Sequence, residues 1–184
     1  MDSRSLHDFE HAIKDALDLL KHFDLLNASA PTPPPEAEVM KRASLVMALA
    51  ALETYVEDRI VEAADRVVGV DTTGGRLAVF YRNALENDLK RFHVPNVERI
   101  RKIFRMYFDI DVTEGWTWNN YTPAKARIEL DNIAQKRGSI AHRSARPKPG
   151  QVSPHVVTRE DLRKHIQFIR DLAKATDAHL YKVL

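Results

Sequence analysis

Six apolar residues, Leu6, Phe9, Ile13, Ala16, Leu20 and Phe23, recur at intervals of three and four near the N-terminus. That spacing lays one apolar stripe along about five turns of α-helix. It does not suit a strand, whose faces alternate every second residue. A second stripe, Leu162, Ile166, Ile169, Leu172 and Leu180, closes the chain, behind a capping-box-like start at Thr158-Arg159-Glu160-Asp161. Between them a long helix is expected from Glu36 to about Val68, after the stiff connector APTPPP at Ala30 to Pro35. The middle of this helix, ASLVMALAAL, is apolar on every face, so it needs a central position or a subunit interface.

The remaining elements are also helical. Val67 to Gly75 reads as a turn region, and Arg76 to Phe92 as a third helix with Leu77, Phe80, Ala84 and Leu85 on its apolar side. Pro95 separates it from a short basic helix, Val97 to Phe108. Asp109 to Tyr121 reads as a loop. Thr122-Pro123 opens another helix with Ala126, Leu130 and Ile133 inward, and the Pro-rich connector RPKPGQVSP follows. Gly and Pro together number only 15 in 184 residues, too few for the many turns of a sandwich or barrel. No alternating strand pattern and no internal repeat is evident. The expected fold is all-α, a bundle of four long helices plus one or two short helices in one domain over residues 1–184.

Composition narrows the function classes. The chain has no cysteine, which excludes disulfides, thiolate-ligated zinc and a cysteine nucleophile. The longest nearly uncharged run is about half a membrane span, and the charged start MDSRSLHDFE has no secretory apolar core. A cytoplasmic protein with no membrane partner is expected. Charge is polarised: residues 1–80 hold 8 Lys/Arg against 14 Asp/Glu, and residues 81–184 hold 20 against 12. One basic run spans Lys90 to Arg105 with Glu98 as its only acid. The other, Asn132 to Arg159, contains no acid at all. Either run is a solvated face or a surface for nucleic acid.

One position breaks the core pattern. Continuing Ala126, Leu130 and Ile133 by four places Arg137 on the inward face, where a charge must be paired, face a partner, or mark a site. His142 follows five residues later, within KRGSIAHR. The segment LDNIAQKRGSIAHR resembles the Arg-x4-His signature of the HEPN superfamily, and the order and lengths of the helices look most like its RiboL-PSP branch over nearly the whole chain. The resemblance implies an all-α, metal-independent endoribonuclease of a toxin–antitoxin or defence system, with RNA as substrate, a homodimer as the working unit and an antitoxin protein as partner. It implies no cofactor and no metal. Arg137 and His142 become the catalytic residues. Glu53, two residues before Tyr55, is expected to pair with Arg137 and orient it, the alternative being a plain surface or interface ion pair. Lys136, Arg143, Arg146 and Lys148 are expected to contact RNA.

Two positions depart from the family pattern. Gly138 stands where relatives place Asn, Asp or another polar residue after the Arg, leaving Ser139 as the nearby substitute. Ser144 stands where some relatives carry a modifiable Tyr two residues after the His. The Gly favours an alternative reading, a catalytically silent HEPN module that binds RNA or a protein.

The chemistry fits the residue types. RNA carries its own nucleophile, the 2′-OH, so cleavage needs a base, an acid and positive charge on the phosphorane-like transition state. An imidazole titrating near neutrality supplies the first two, and a guanidinium the third. A C-terminal histidine bonding the last carbonyls of its helix is the bland reading of His142. On a regular helix, residues five apart point about 140° away from each other. Either the helix loosens at Gly138, or two subunits complete the site, as the resemblance implies. Three further features have structural readings beside functional ones. His7 and His11, four apart, form half of a metal site or a solvated face. Trp116, Trp118 and Tyr121 plug a core edge or stack on bases.

Overall fold

A computed structural model describes residues 2–28, 35–69, 75–142 and 157–184, with backbone only at 35, 36, 141 and 142. Its elements are α1 (Arg4–Ala28), α2 (Pro35–Val68), α3 (Arg76–Leu89), α4 (Val97–Phe108), a 3-10 turn (Val112–Gly115), α5 (Pro123–His142) and α6 (Arg159–Val183). The described residues form no strand; one isolated bridge pairs Trp118 with Tyr121. Four long helices and two shorter ones are what the periodicity predicts. The short basic helix has the boundaries read from sequence.

Both terminal stripes are buried throughout, from Leu6 to Phe23 and from Leu162 to Leu180. α2 is the hub. Its 34 residues extend about 51 Å, and every other α-helix packs against it. Its apolar middle lies inside, with Leu45, Ala48, Leu49 and Leu52 buried and Met47 at the surface.

Caps set the helix ends. Ser3 Oγ accepts the Leu6 N–H, Asn96 Oδ1 accepts the Arg99 N–H, and Thr158 Oγ1 accepts the Asp161 N–H. Asp109 ends α4 in the left-handed region at φ 57°. The N-terminus is stitched to the far ends of α2 and α6. Ser5 donates through both N–H and Oγ to Glu62, and the Ser3 N–H donates to Asp177. Asp177 also pairs at 2.8 Å with Arg59, whose side chain is 1 % exposed.

Two expectations need correction. Leu77 and Phe80 are 81 % and 71 % exposed; only Leu85 of α3 is fully buried. The stripe exists, but only the C-terminal part of this helix meets the core. The stretch read as a loop carries the 3-10 turn and the Trp118–Tyr121 bridge. Its aromatics take the core-edge role. Trp116 is fully buried and its Nε1 donates to Thr176 Oγ1 at 2.9 Å. Trp118 and Tyr121 stack together and pack on Phe168. Trp116 is therefore not available to stack on RNA.

Candidate active site at the end of the fifth helix

α5 is continuously helical from Pro123 to His142, straight through Gly138. Beyond its own helical turn, an added Cβ at Gly138 would meet none of the described residues within 4 Å. The helix therefore does not loosen at this glycine. Arg137 is half-buried and lies between Ile133, which is buried, and Ile140, which packs against the core edge. Its side chain has no ion pair or hydrogen bond with the other described residues. Ser139 is half-buried on the same turn. The backbone of His142 ends α5, whereas its side chain and all of Arg143, Arg146 and Lys148 lie outside the described residues.

Glu53 is half-buried on α2, but its Oε2 accepts the Val94 N–H at 3.2 Å. Val94 has a φ of 62°, a strained conformation for a β-branched residue, and the Glu53 bond helps hold the turn before Pro95 there. Glu53 and Arg137 form no ion pair among the described residues. Among the described residues this carboxylate acts as a turn anchor, holding a backbone donor of the Arg91–Asn96 turn.

Lys136 has a partner the sequence reading missed. Its Nζ lies 3.0 Å from His165 Nε2, on α6. An ammonium can only donate, so Nε2 is the acceptor and the imidazole proton sits on Nδ1. That nitrogen is 3.2 Å from Glu129 Oε1, without the alignment of a hydrogen bond. Burial, then the Lys136 charge, lower the His165 pKa, and Glu129 and Asp161 oppose them in part. His165 is thus neutral at neutral pH and tethers α5 to α6 beside Arg137. The available signal was a histidine on the buried stripe of α6, directly before Ile166.

The basic run from Lys90 to Arg105 is divided by one carboxylate. Asp111 Oδ2 takes both Arg101 and Arg105, at 2.7 and 2.9 Å, and its Oδ1 takes the Thr113 hydroxyl at 2.6 Å. Burial alone would raise its pKa, but the Thr113 and Arg101 hydrogen bonds outweigh burial and hold it below the ordinary carboxylate range. His7 and His11 have rings 4.9 Å apart, but no group of three metal-ligating side chains occurs among the described residues. No helix among them is long and apolar enough to cross a membrane.

Residues 9–182 match the RiboL-PSP-HEPN family model. The chain belongs to the RiboL-PSP-HEPN family. Comparison with curated proteins and with solved structures gives no match. The match takes in α2 through α5 entirely and most of α1 and α6, so Arg137 and the end of α5 fall within the matched span.

Proposed function

We propose that this HEPN chain is a metal-independent endoribonuclease that acts as a homodimer in the cytoplasm, as the toxin or defence effector of a system with an antitoxin partner. The observation that carries the reading is the half-buried Arg137 on an unbroken α5, five residues before His142, in a member of this family. On an unbroken helix, positions five apart lie about 140° apart around the axis, so a single helix presents them on different sides. Two copies related by a two-fold axis supply two Arg and two His to a shared cleft.

The reaction needs nothing beyond those groups. The 2′-oxygen forms a bond to phosphorus as one neutral imidazole takes its proton. The bond from phosphorus to the 5′-oxygen breaks as the partner imidazolium returns a proton to it. Arg137 carries the charge gathered on the non-bridging oxygens. The products are a 2′,3′-cyclic phosphate and a 5′-OH. Arg143, Arg146 and Lys148 bind the flanking phosphates and Ser139 supports the site from α5, while Lys136 and Glu53 act indirectly, Lys136 by tethering α5 to α6 and Glu53 by anchoring the turn at Val94.

Arg137→Ala and His142→Ala should each abolish cleavage with helicity unchanged, and cleavage by the parent chain should persist in EDTA. Undiminished cleavage by His142→Ala, or 3′-OH products, would overturn the mechanism. Mixing the two variants should restore some activity if residues are shared across the axis. Gly138 favours the second reading, a silent RNA- or protein-binding module. Its mark would be RNA binding without any cyclic phosphate product.

A further inference from the structure

α4 has two basic flanks with different fates. Arg101 and Arg105 are spent on Asp111. Arg99 and Lys102, three apart and both exposed, turn the other way and line an open pocket of about 270 Å³ between α3 and α4. Arg91, exposed in the turn after α3, lines the same pocket. None of these three cations has an acidic partner among the described residues. The one carboxylate in the wall, Asp88, already accepts the Tyr107 hydroxyl at 2.7 Å. The rest of the lining is apolar: Phe92 and Ile103 are buried, and Met106 is 56 % exposed.

We infer that this pocket binds a nucleotide unit of single-stranded RNA, its phosphates on Arg91, Arg99 and Lys102 and its base against Met106. The inference deepens the proposed function and rests on that reading for its choice of RNA. Three converging cations facing one engaged acid call for a polyanion, because like charges so placed repel until a counter-charge arrives. Two of them are guanidiniums, whose planar forks match phosphate oxygens and stack on bases. The exposed Met106 in the same lining suits a base, whose faces pack on apolar and aromatic side chains. An acidic peptide would satisfy the charge but leave Met106 exposed. The pocket lies on α4 and the turn after α3, separate in sequence from KRGSIAHR, so a strand long enough to reach both gains a second anchor.

The test uses the full chain and a single-stranded RNA fully 2′-O-methylated, which lacks the nucleophile and cannot be cut. Binding is read by fluorescence anisotropy across a salt series. Arg91→Glu/Arg99→Glu/Lys102→Glu should weaken binding of an oligonucleotide of about fifteen nucleotides at least tenfold, and lower the salt slope by about 2 for three single-strand phosphate contacts. Arg91→Gln/Arg99→Gln/Lys102→Gln should show a smaller loss in the same direction, and both variants are checked for native melting. Lys14→Glu/Lys21→Glu, on α1, should bind as the parent does. An unchanged affinity and slope in the reversed variant overturns the inference, as does failure of the parent to bind the oligonucleotide. Equal affinity for AMP, or for poly-glutamate, also overturns it, by assigning the pocket to a free nucleotide or to an acidic protein. A parent chain that cuts RNA while the reversed variant binds normally leaves the nuclease reading standing and removes only the pocket. A parent that binds through the pocket yet cuts no RNA does the reverse.

Discussion

Gly138→Ala separates two accounts of the site in one experiment. Gly138 is inside α5, and beyond its own helical turn an added Cβ would meet none of the described residues within 4 Å. A glycine in a helix interior costs about 0.5–1 kcal/mol relative to alanine, through the backbone freedom it gives up on folding. No clash offsets that gain here. At about 2–4 °C per kcal/mol for a domain of this size, the variant should melt about 1–4 °C higher. Thermal melting followed by circular dichroism reads this directly, alongside RNA cleavage under identical conditions. With an unbroken helix and a site shared between subunits, stiffening α5 leaves the relation of Arg137 to the partner's motif intact, and cleavage persists. A melting temperature at or below that of the parent would refute the helical, unobstructed Gly138. A higher melting temperature with cleavage lost would refute the shared site, because it would show that α5 has to unwind at Gly138 to work. Gly138→Asn extends the series by placing after Arg137 the kind of polar residue that HEPN relatives carry there.

Gly115→Ala should cost about 3 kcal/mol in urea unfolding, because its Cβ would sit 2.3 Å from Cβ and Cγ of His179 and force the 3-10 turn off α6. A loss below about 1 kcal/mol would refute that packing. Asp177→Leu should cost about 3–5 kcal/mol by stranding the buried Arg59 charge, whereas Arg59→Met/Asp177→Leu should recover most of it; strictly additive losses would refute the coupling. Acidification should destabilise the fold through His165. Its folded pKa lies below the ordinary 6.5, so the unfolded chain binds the proton first, and stability falls as pH drops below that value. His165→Gln should flatten urea stability between pH 7 and the lower end of that window, and an unchanged slope would refute the neutral His165.

Much of the bundle was legible because burial imposes a period. Every member of the α1 stripe from Leu6 to Phe23 is buried, and α4 begins after its Asn cap and ends where Asp109 turns left-handed. Period alone does not say what a stripe packs against, so Leu77 and Phe80 read as core and stand in solvent. Partners distant in sequence were the other blind spot. The Glu53 carboxylate and the Val94 N–H are 41 residues apart, and nothing local to ALETYVEDRI announces that contact. His165 was detectable in principle, as an imidazole on an apolar stripe, but its partner Lys136 is 29 residues upstream on another helix. Arg137 could be read because its anomaly is local: a cation four places after Ile133, on the inward stripe.

The Lys136–His165 contact bears on how Arg137 is aimed. Successive side chains on a helix are about 100° apart, so fixing the direction of Lys136 fixes that of Arg137. Ile133 and Ile140 hold one side of α5 against the core, and the tether to α6 holds another. Two contacts on different sides of one helix oppose its rotation, where either alone would act as a pivot. α6 is in turn tied to α1 by Arg159 and Arg163 on Asp24, and to α2 through Asp177 and Arg59. The direction in which Arg137 leaves the bundle is therefore a property of the assembled helices and not of KRGSIAHR alone. In a symmetric pair that direction decides whether two motifs face each other across the axis. A change that frees Lys136 from His165 should accordingly disturb cleavage more than it disturbs folding.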